Sequence, residues 1–251
     1  MRGYDDRSYG EGFADVYDEW YADVTDVSAT VDRMVAVVGP GGRVLELGVG
    51  TGRLAIPMAE AGLRVVGIDT SEAMLDRLAV ADPDQRVEVV CGDMVHDLPG
   101  GPFDAALVAY NTIFNLLDER LQRRCFAEVA ARLRPGGAFV VEAHVPGDGP
   151  TDGGATSDVS VRSMAVDHVV LSVSTNTPGD QRAEGQFVQF SEAGGVRLRP
   201  WSIRWVTPAQ LDEMAAAAGL VLESRMTDMA GTPFTADSDE HVSVYRKAPT
   251  A

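Results

Sequence analysis

The chain has 251 residues, 45% of them hydrophobic, with two cysteines and a formal net charge of −17. That length and apolar content suffice for one full core with an elaboration, and the charge argues against nucleic acid, whose binding rests on Lys and Arg neutralising phosphates. Cys91 and Cys125 fall in a strand pattern and a helix pattern, so neither a disulfide framework nor a metal cluster is expected. No apolar run reaches the ~18 residues of a membrane helix, and the acidic, aromatic start is unlike a signal peptide, so a cytoplasmic protein without a membrane partner is expected.

Helix-like and strand-like patterns alternate through the first 145 residues, the signature of a mostly parallel sheet covered by helices on both faces. A helix over 31–38 precedes a strand over 44–47. A glycine loop then opens a helix over 54–61, which stops at Gly62 in the manner of a left-handed C-cap. "RVVGID" (64–69) is the second strand, and Ser71 caps a helix to 78. "VEVV" (87–90) and "FDAALVAY" (103–110) are the third and fourth strands. A helix over 117–133 is stopped by Pro135 and a Gly136-Gly137 turn, and "AFVVEAHV" (138–145) is the fifth strand.

After Pro146 the composition shifts to Gly, Asp, Pro and Thr. Four runs of period two follow, "VSVRSMAVD", "HVVLSVSTN", "GQFVQFS" and "VRLRPWSIRWV", and these predict an antiparallel sheet inserted into the α/β fold. Thr207-Pro208 caps a helix to 218, and "LVLESR" and "HVSVYRK" close the chain.

The chemistry concentrates in "VLELGVGTGRL". A dinucleotide fingerprint would place glycines as G-x-G-x-x-G. Here Gly48, Gly50 and Gly52 follow Glu46 as E-x-G-x-G-x-G, with the third glycine one residue early. Glu46 would repel a pyrophosphate but suits the ammonium of an amino acid. Asp69, at the end of the second strand, stands where an acid accepts from both ribose hydroxyls. In "CGDM", Asp93 can accept from an adenine amino group and Met94 can pack on its ring. Ammonium, ribose and adenine together describe S-adenosylmethionine.

With "VLELGVGTG", "VVGIDTS", "VVCGDM" and "LRPGGAFVVE" in this order, the sequence resembles the class I S-adenosylmethionine-dependent methyltransferases, strongly over 31–145. The resemblance implies a Rossmann-like, doubly wound, mostly parallel seven-stranded sheet in a single domain. Residues 1–30 would form an N-terminal helical lid, 31–145 the cofactor-binding core, 150–206 the inserted sheet as a substrate roof, and 207–251 the completion of the core. It implies that Gly48, Gly50 and Gly52 bring backbone near the methionine part, that Glu46 meets the ammonium, and that Asp69 meets the ribose. Asp93 and Met94 fall at the adenine, and Thr70, Tyr17 and Ala109 complete the cofactor shell, with no metal.

Transfer of a methyl group is an in-line displacement, so the protein must align the nucleophile, exclude water and remove a proton. Glu142 and His144 share a face near the end of the fifth strand, and His144 is the candidate general base. Tyr110, Asn111 and Thr112, after the fourth strand, either line the methyl site or cap the next helix. Phe13, Tyr17, Trp20 and Tyr21 form an aromatic stripe at helical spacing, with Tyr21 able to reach the acceptor. In the insert, Phe187, Phe190, Trp201 and Trp205 can form the roof. The expected activity is methylation of an N or O atom of a small metabolite, a natural-product or sugar-type scaffold. The alternative is a repurposed S-adenosylmethionine-binding scaffold or cyclase of the same fold, and a homodimer is left open.

Overall fold

Runs rich in apolar residues become strands of a parallel sheet, buried on both faces except for the largely exposed edge strand over 88–91. In the computed structural model, which describes residues 1–22, 24–147, 154–192 and 194–249, these are β1 (Arg43–Leu47), β2 (Arg64–Asp69), β3 (Glu88–Cys91), β4 (Phe103–Val108) and β5 (Leu133–His144). All five run parallel, and β1 pairs with β2 on one side and β4 on the other. The chain therefore reverses its direction of winding at β1, the position where open α/β sheets leave a ligand crevice.

The period-two runs form a separate antiparallel sheet of β6 (Thr156–Met164), β7 (His168–Thr177), β8 (Arg182–Ser191) and β9 (Gly195–Arg204). The closing strands are β10 (Leu220–Met226) and β11 (Glu240–Lys247), and β11 lies antiparallel between β10 and β5. The seven-stranded order is β10-β11-β5-β4-β1-β2-β3.

Helix starts follow the capping chemistry. Two short helices, α1 (Ser8–Phe13) and α2 (Tyr17–Trp20), open the chain. Asp26 accepts from Ala29 N and starts α3 (Val27–Val38), four residues ahead of the apolar pattern. The glycine loop leads into α4 (Ala55–Glu60), and the Ser71 hydroxyl accepts from Met74 N at the start of α5 (Glu72–Ala81). Asp118 caps α6 (Glu119–Arg132), and a reciprocal Thr207–Gln210 box caps α7 (Pro208–Ala217). Met34, Met58 and Val140 belong to the core on the α3–α4 side of the sheet. Phe126, Leu211, Phe139 and Tyr245 belong to the core on the α6–α7 side.

Three sequence expectations need correction. The Pro135-Gly136-Gly137 stretch does not end in a free turn: it is a bulge inside β5, where Leu133 pairs with Phe103 and Ala138 with Ala105, and Gly136 supplies φ +74°. The aromatic stripe is not one helix but α1 and α2, separated after Phe13, and part of it is core. Phe13 is fully buried and meets Phe187 edge to face with ring centroids 5.8 Å apart. The four aromatic residues expected to form a roof do not share one face. Phe187 tilts against Trp201 (6.4 Å) and meets Trp20 (5.7 Å), whereas Phe190 points to the opposite side of β8 and Trp205 packs against the α6–α7 core.

Candidate active site

A cavity of about 420 Å³ lies at the carboxyl ends of β1, β2 and β3. Gly48, Gly50, Asp69, Thr70, Asp93 and Met94 line its floor, and Tyr4, Tyr9 and Tyr17 line it from the N-terminal segment. Gly48 is at φ +69°, and a Cβ there would stand 2.4 Å from Thr112 Cγ2, so the loop closes onto the residues after β4 only without a side chain. The Asp69 carboxylate braces this loop: Oδ2 accepts from Gly50 N and Oδ1 from Ser71 N, both at 2.9 Å. Burial raises its pKa, opposed by these amides. A carboxylate has about four lone-pair positions, so two hydroxyl donors can still be accepted. Asp93 Oδ1 accepts from Val95 N and His96 N and faces His96 Nδ1 at 2.7 Å, so this acid caps its own turn as well as lining the cavity.

Beside the loop sit two ionisable groups with unfilled bonding capacity. Glu46 is buried, its Oε2 has no partner, and burial pushes its pKa up to about 8 despite the nearby Arg53. Arg53 follows the last glycine of the motif, and its Nε and Nη1 are buried without an acceptor. Buried polar atoms without partners are expensive, and their persistence marks a place built for something else. A carboxylate oxygen and a guanidinium edge flanking one glycine loop are the complement of an ammonium and a carboxylate, the two charges of an amino acid.

Next to the loop, Tyr110 (φ +44°) and Asn111 (φ +65°) hold left-handed conformations that non-glycine residues rarely adopt. Glu142 pins both: its Oε2 accepts from Tyr110 N at 2.9 Å, and its carbonyl accepts from Asn111 N at 3.1 Å. Asn111 in turn accepts through Oδ1 from His144 N at 2.7 Å, with His144 Nδ1 at 3.1 Å. An amide oxygen only accepts, so Nδ1 carries the ring proton and Nε2 presents a lone pair. Burial lowers the His144 pKa, which keeps the ring neutral at neutral pH. The Phe114 ring meets it edge on at 5.1 Å.

Tyrosines close the space above. Tyr21 tilts against Tyr17 (4.9 Å between centroids) and meets Tyr110 edge to face (5.8 Å). From β6, the Arg162 guanidinium lies over the rings of Trp20, Phe187 and Tyr21 at 4.8 to 5.3 Å.

The structure thus brings Gly48, Gly50, Asp69, Thr70, Asp93, Met94 and Tyr17 to the cavity wall. His144, Asn111 and Tyr21 form the adjoining cluster and do not line that cavity. Two further residues of the expected cofactor shell, Gly52 and Ala109, do not line the cavity. A Cβ on Gly52 would come within 2.9 Å of Ile56 and Leu78, so this glycine seats the loop on α4 and α5, and the Ala109 side chain belongs to the α3–α4 core. The sequence reading missed Arg53 and Arg162. Arg53 carried a signal, a lone basic residue ending a glycine loop before an apolar helix. Arg162 carried none, because two of the rings beneath it, Trp20 and Tyr21, come from a segment over a hundred residues away.

A winding reversal, a glycine loop with a buried acid beneath it, and an acid closing the next strand define a Rossmann-like transferase of the S-adenosylmethionine type. A methyltransferase domain model matches residues 44–137. The cypemycin N-terminal methyltransferase of a Streptomyces species is 32% identical over 210 residues, 82% of this chain and 84% of that protein. The CcbJ methyltransferase of Streptomyces caelestis is 36% identical and superposes with a TM-score of 0.87 over 98% of this chain and 100% of that one. At 23% identity, CalS10, an amino pentose methyltransferase from Micromonospora echinaspora, shares the fold with a TM-score of 0.66 over 91% of this chain and 92% of its own. The chain belongs to the class I S-adenosylmethionine-dependent methyltransferases, with S-adenosylmethionine as its cofactor.

Proposed function

We propose that the protein methylates an amine nitrogen of a small natural-product-type molecule. The observation that carries the reading is the neutral His144, its proton fixed on Nδ1 by Asn111, beside the loop that holds Glu46 and Arg53, each with buried polar atoms that lack a partner. Glu46 takes the cofactor's ammonium, Arg53 its carboxylate, Asp69 the ribose hydroxyls, and Asp93 with Met94 the adenine. Gly48 and Gly50 let backbone approach the methionine part, and Tyr17 and Tyr21 exclude water from above. The bound cofactor supplies an electrophilic methyl group.

The chain's own task is then to orient the acceptor and hold its proton. His144 Nε2 is the proton acceptor, and the tyrosine rings and the roof of Phe187 and Trp201 enclose a compact scaffold. Nitrogen is favoured over oxygen because the 32% identical relative is an N-terminal methyltransferase, and because a strongly acidic chain attracts cations.

The test is turnover to S-adenosylhomocysteine with panels of amino sugars and short peptides, against the same scaffolds bearing hydroxyls in place of the amine. With an accepted amine, His144→Ala lowers kcat by roughly 10²- to 10⁴-fold and leaves S-adenosylhomocysteine affinity unchanged. The loss shrinks as pH rises towards the amine's own pKa. Full activity of His144→Ala at every pH would return His144 to a structural role and move the methyl site to Tyr21 and Tyr110. Acceptance of the hydroxyl analogues alone would overturn nitrogen as the target.

A further inference from the structure

We infer, resting on the acceptor site read around His144, that Arg162 of β6 is a specificity residue whose guanidinium binds a carboxylate of the acceptor. The preferred substrate then carries its amine and a carboxylate on one compact scaffold, as an amino acid does.

β6 is an edge strand of the inserted sheet. Up to Val161 it keeps register, and Val161 stands in a row with Leu171, Val188 and Leu198 that points away from the N-terminal helices. The ladder then slips: Ser163 lies opposite Val170, and Arg162 is left as the extra residue of a bulge. A bulge bends the strand and re-aims the side chain it releases. That side chain reaches the N-terminal segment, where its guanidinium lies 4.9 Å from the ring centroid of Trp20, 5.3 Å from Tyr21 and 4.8 Å from Phe187. Cation–π contacts with three rings hold the direction of a residue that is otherwise exposed.

The guanidinium so held is not spent on an ion pair. Nη2 donates to the Trp20 carbonyl at 3.2 Å, and among the described residues no carboxylate pairs with Arg162. In a chain with 38 Asp and Glu against 21 Lys and Arg, a fixed arginine without an acid is a group kept open. Four of its five N–H donors are left, enough for a two-pronged grip on a carboxylate.

Its place is beside the methyl site. Tyr21, under the guanidinium, meets Tyr110 edge to face at 5.8 Å, and Tyr110 precedes the Asn111 that holds His144. Burial raises the Tyr110 pKa, Tyr21 and Glu240 add to the rise, and Arg162 and Arg53 oppose it. Glu240 stands opposite His144 in the β11–β5 register, so the two side chains share a face of the sheet. Negative charge from Glu240 and Glu142 therefore lies on the His144 side of Tyr110, and positive charge from Arg162 on the other. An amine directed at His144 and a carboxylate directed at Arg162 match that polarity. A zwitterion also carries no net charge for the acidic chain to repel, whereas a simple cation leaves Arg162 unpaired and opposed.

The test is turnover to S-adenosylhomocysteine with α-amino acids, dipeptides and amino-sugar acids and their hydroxyl analogues, each as the free carboxylate and as the primary carboxamide. The parent should prefer the carboxylate by about 10- to 30-fold in kcat/KM, the lower part of the range for a charged hydrogen bond because Arg162 is open to solvent. Arg162→Met should bring the carboxylate down to the carboxamide level with S-adenosylhomocysteine affinity unchanged. Arg162→Lys, which keeps the charge without the planar fork, should retain part of the preference. Comparing this ratio between parent and variant cancels any difference in amine basicity. If Arg162 only props Trp20 and Tyr21, its loss moves carboxylate and carboxamide together, and that result overturns the inference, as does a parent indifferent to the carboxylate. A carboxylate preference among hydroxyl acceptors alone would uphold Arg162 and refute the amine; amine turnover with no preference would do the reverse. Should nothing in the panel be turned over, thermal shifts of the S-adenosylhomocysteine complex with the same compounds at millimolar concentration decide. Stabilisation by carboxylates that Arg162→Met loses supports the inference, and an equal or absent response to them removes it.

Discussion

Replacing Glu142 with Leu deletes the acceptor that holds Tyr110 N at 2.9 Å while leaving the β5 backbone and its carbonyl bond to Asn111 in place. Losing one partner of a half-buried hydrogen bond costs about 1 to 3 kcal/mol, more towards the upper figure when the acceptor is ionised. Tyr110 and Asn111 already sit in left-handed conformations that cost of order 1 to 2 kcal/mol each. The turn therefore has a relaxed alternative available once its clamp is gone. At 1.4 kcal/mol per factor of ten, amide exchange across 109–112 should accelerate by about 5- to 150-fold through local opening. Hydrogen–deuterium exchange by mass spectrometry reads this directly and needs no acceptor substrate. Glu142→Gln keeps an acceptor oxygen and should change exchange by less than about threefold. Unchanged exchange in Glu142→Leu, or Gln behaving like Leu, would show that the carboxylate does not hold the turn.

Arg53→Met should weaken S-adenosylhomocysteine by about 10- to 150-fold in calorimetry, the weight of a charge-assisted contact of 1.5 to 3 kcal/mol. Asp69→Ala should do the same or more, because it also releases Gly50 N; cofactor affinity unmoved by both changes would relocate the amino-acid and ribose ends. Glu46, raised from 4.5 to about 8 mainly by burial, stabilises the free protein while protonated. That contribution is complete below pH ~4.5 and is lost as pH rises through ~8, so the free protein should become easier to melt across this window. An ammonium beside Glu46 favours its charged form, so binding S-adenosylmethionine at pH 7 should release up to about one proton. Calorimetry in buffers of different ionisation enthalpy measures this, and no buffer dependence would separate Glu46 from the ammonium. Last, residues 8–21 should exchange more slowly with S-adenosylhomocysteine present, as a cover over the cofactor requires; equal exchange would make the segment purely structural.

The sequence by itself determined the elements and the cofactor class. Short apolar runs bounded by turn residues marked the strands, Ser71 and Thr207 mark helix starts through chemistry local to the chain, and the glycines after Glu46, at φ +55° to +85°, meet a backbone requirement written in the local sequence. Period two likewise predicted all four strands of the insert. What the sequence did not carry is anything set by which distant surfaces meet. The aromatic stripe at 13–21 has the same pattern whether it faces solvent, core or ligand, and Phe13 became a core residue through neighbours distant in sequence, Met74 of α5 and Phe187 of the insert, as well as Tyr9 and Trp20. Glycines 48 and 52 look alike in the motif, yet one admits Thr112 and the other Leu78, since the atoms approaching them come from other elements. Phe187 and Phe190, three residues apart on one strand, part company because a strand turns successive side chains to opposite faces. Which face looks inward was decided by the N-terminal helices packing on one side of the sheet, and that packing left a row of valines and leucines on the other.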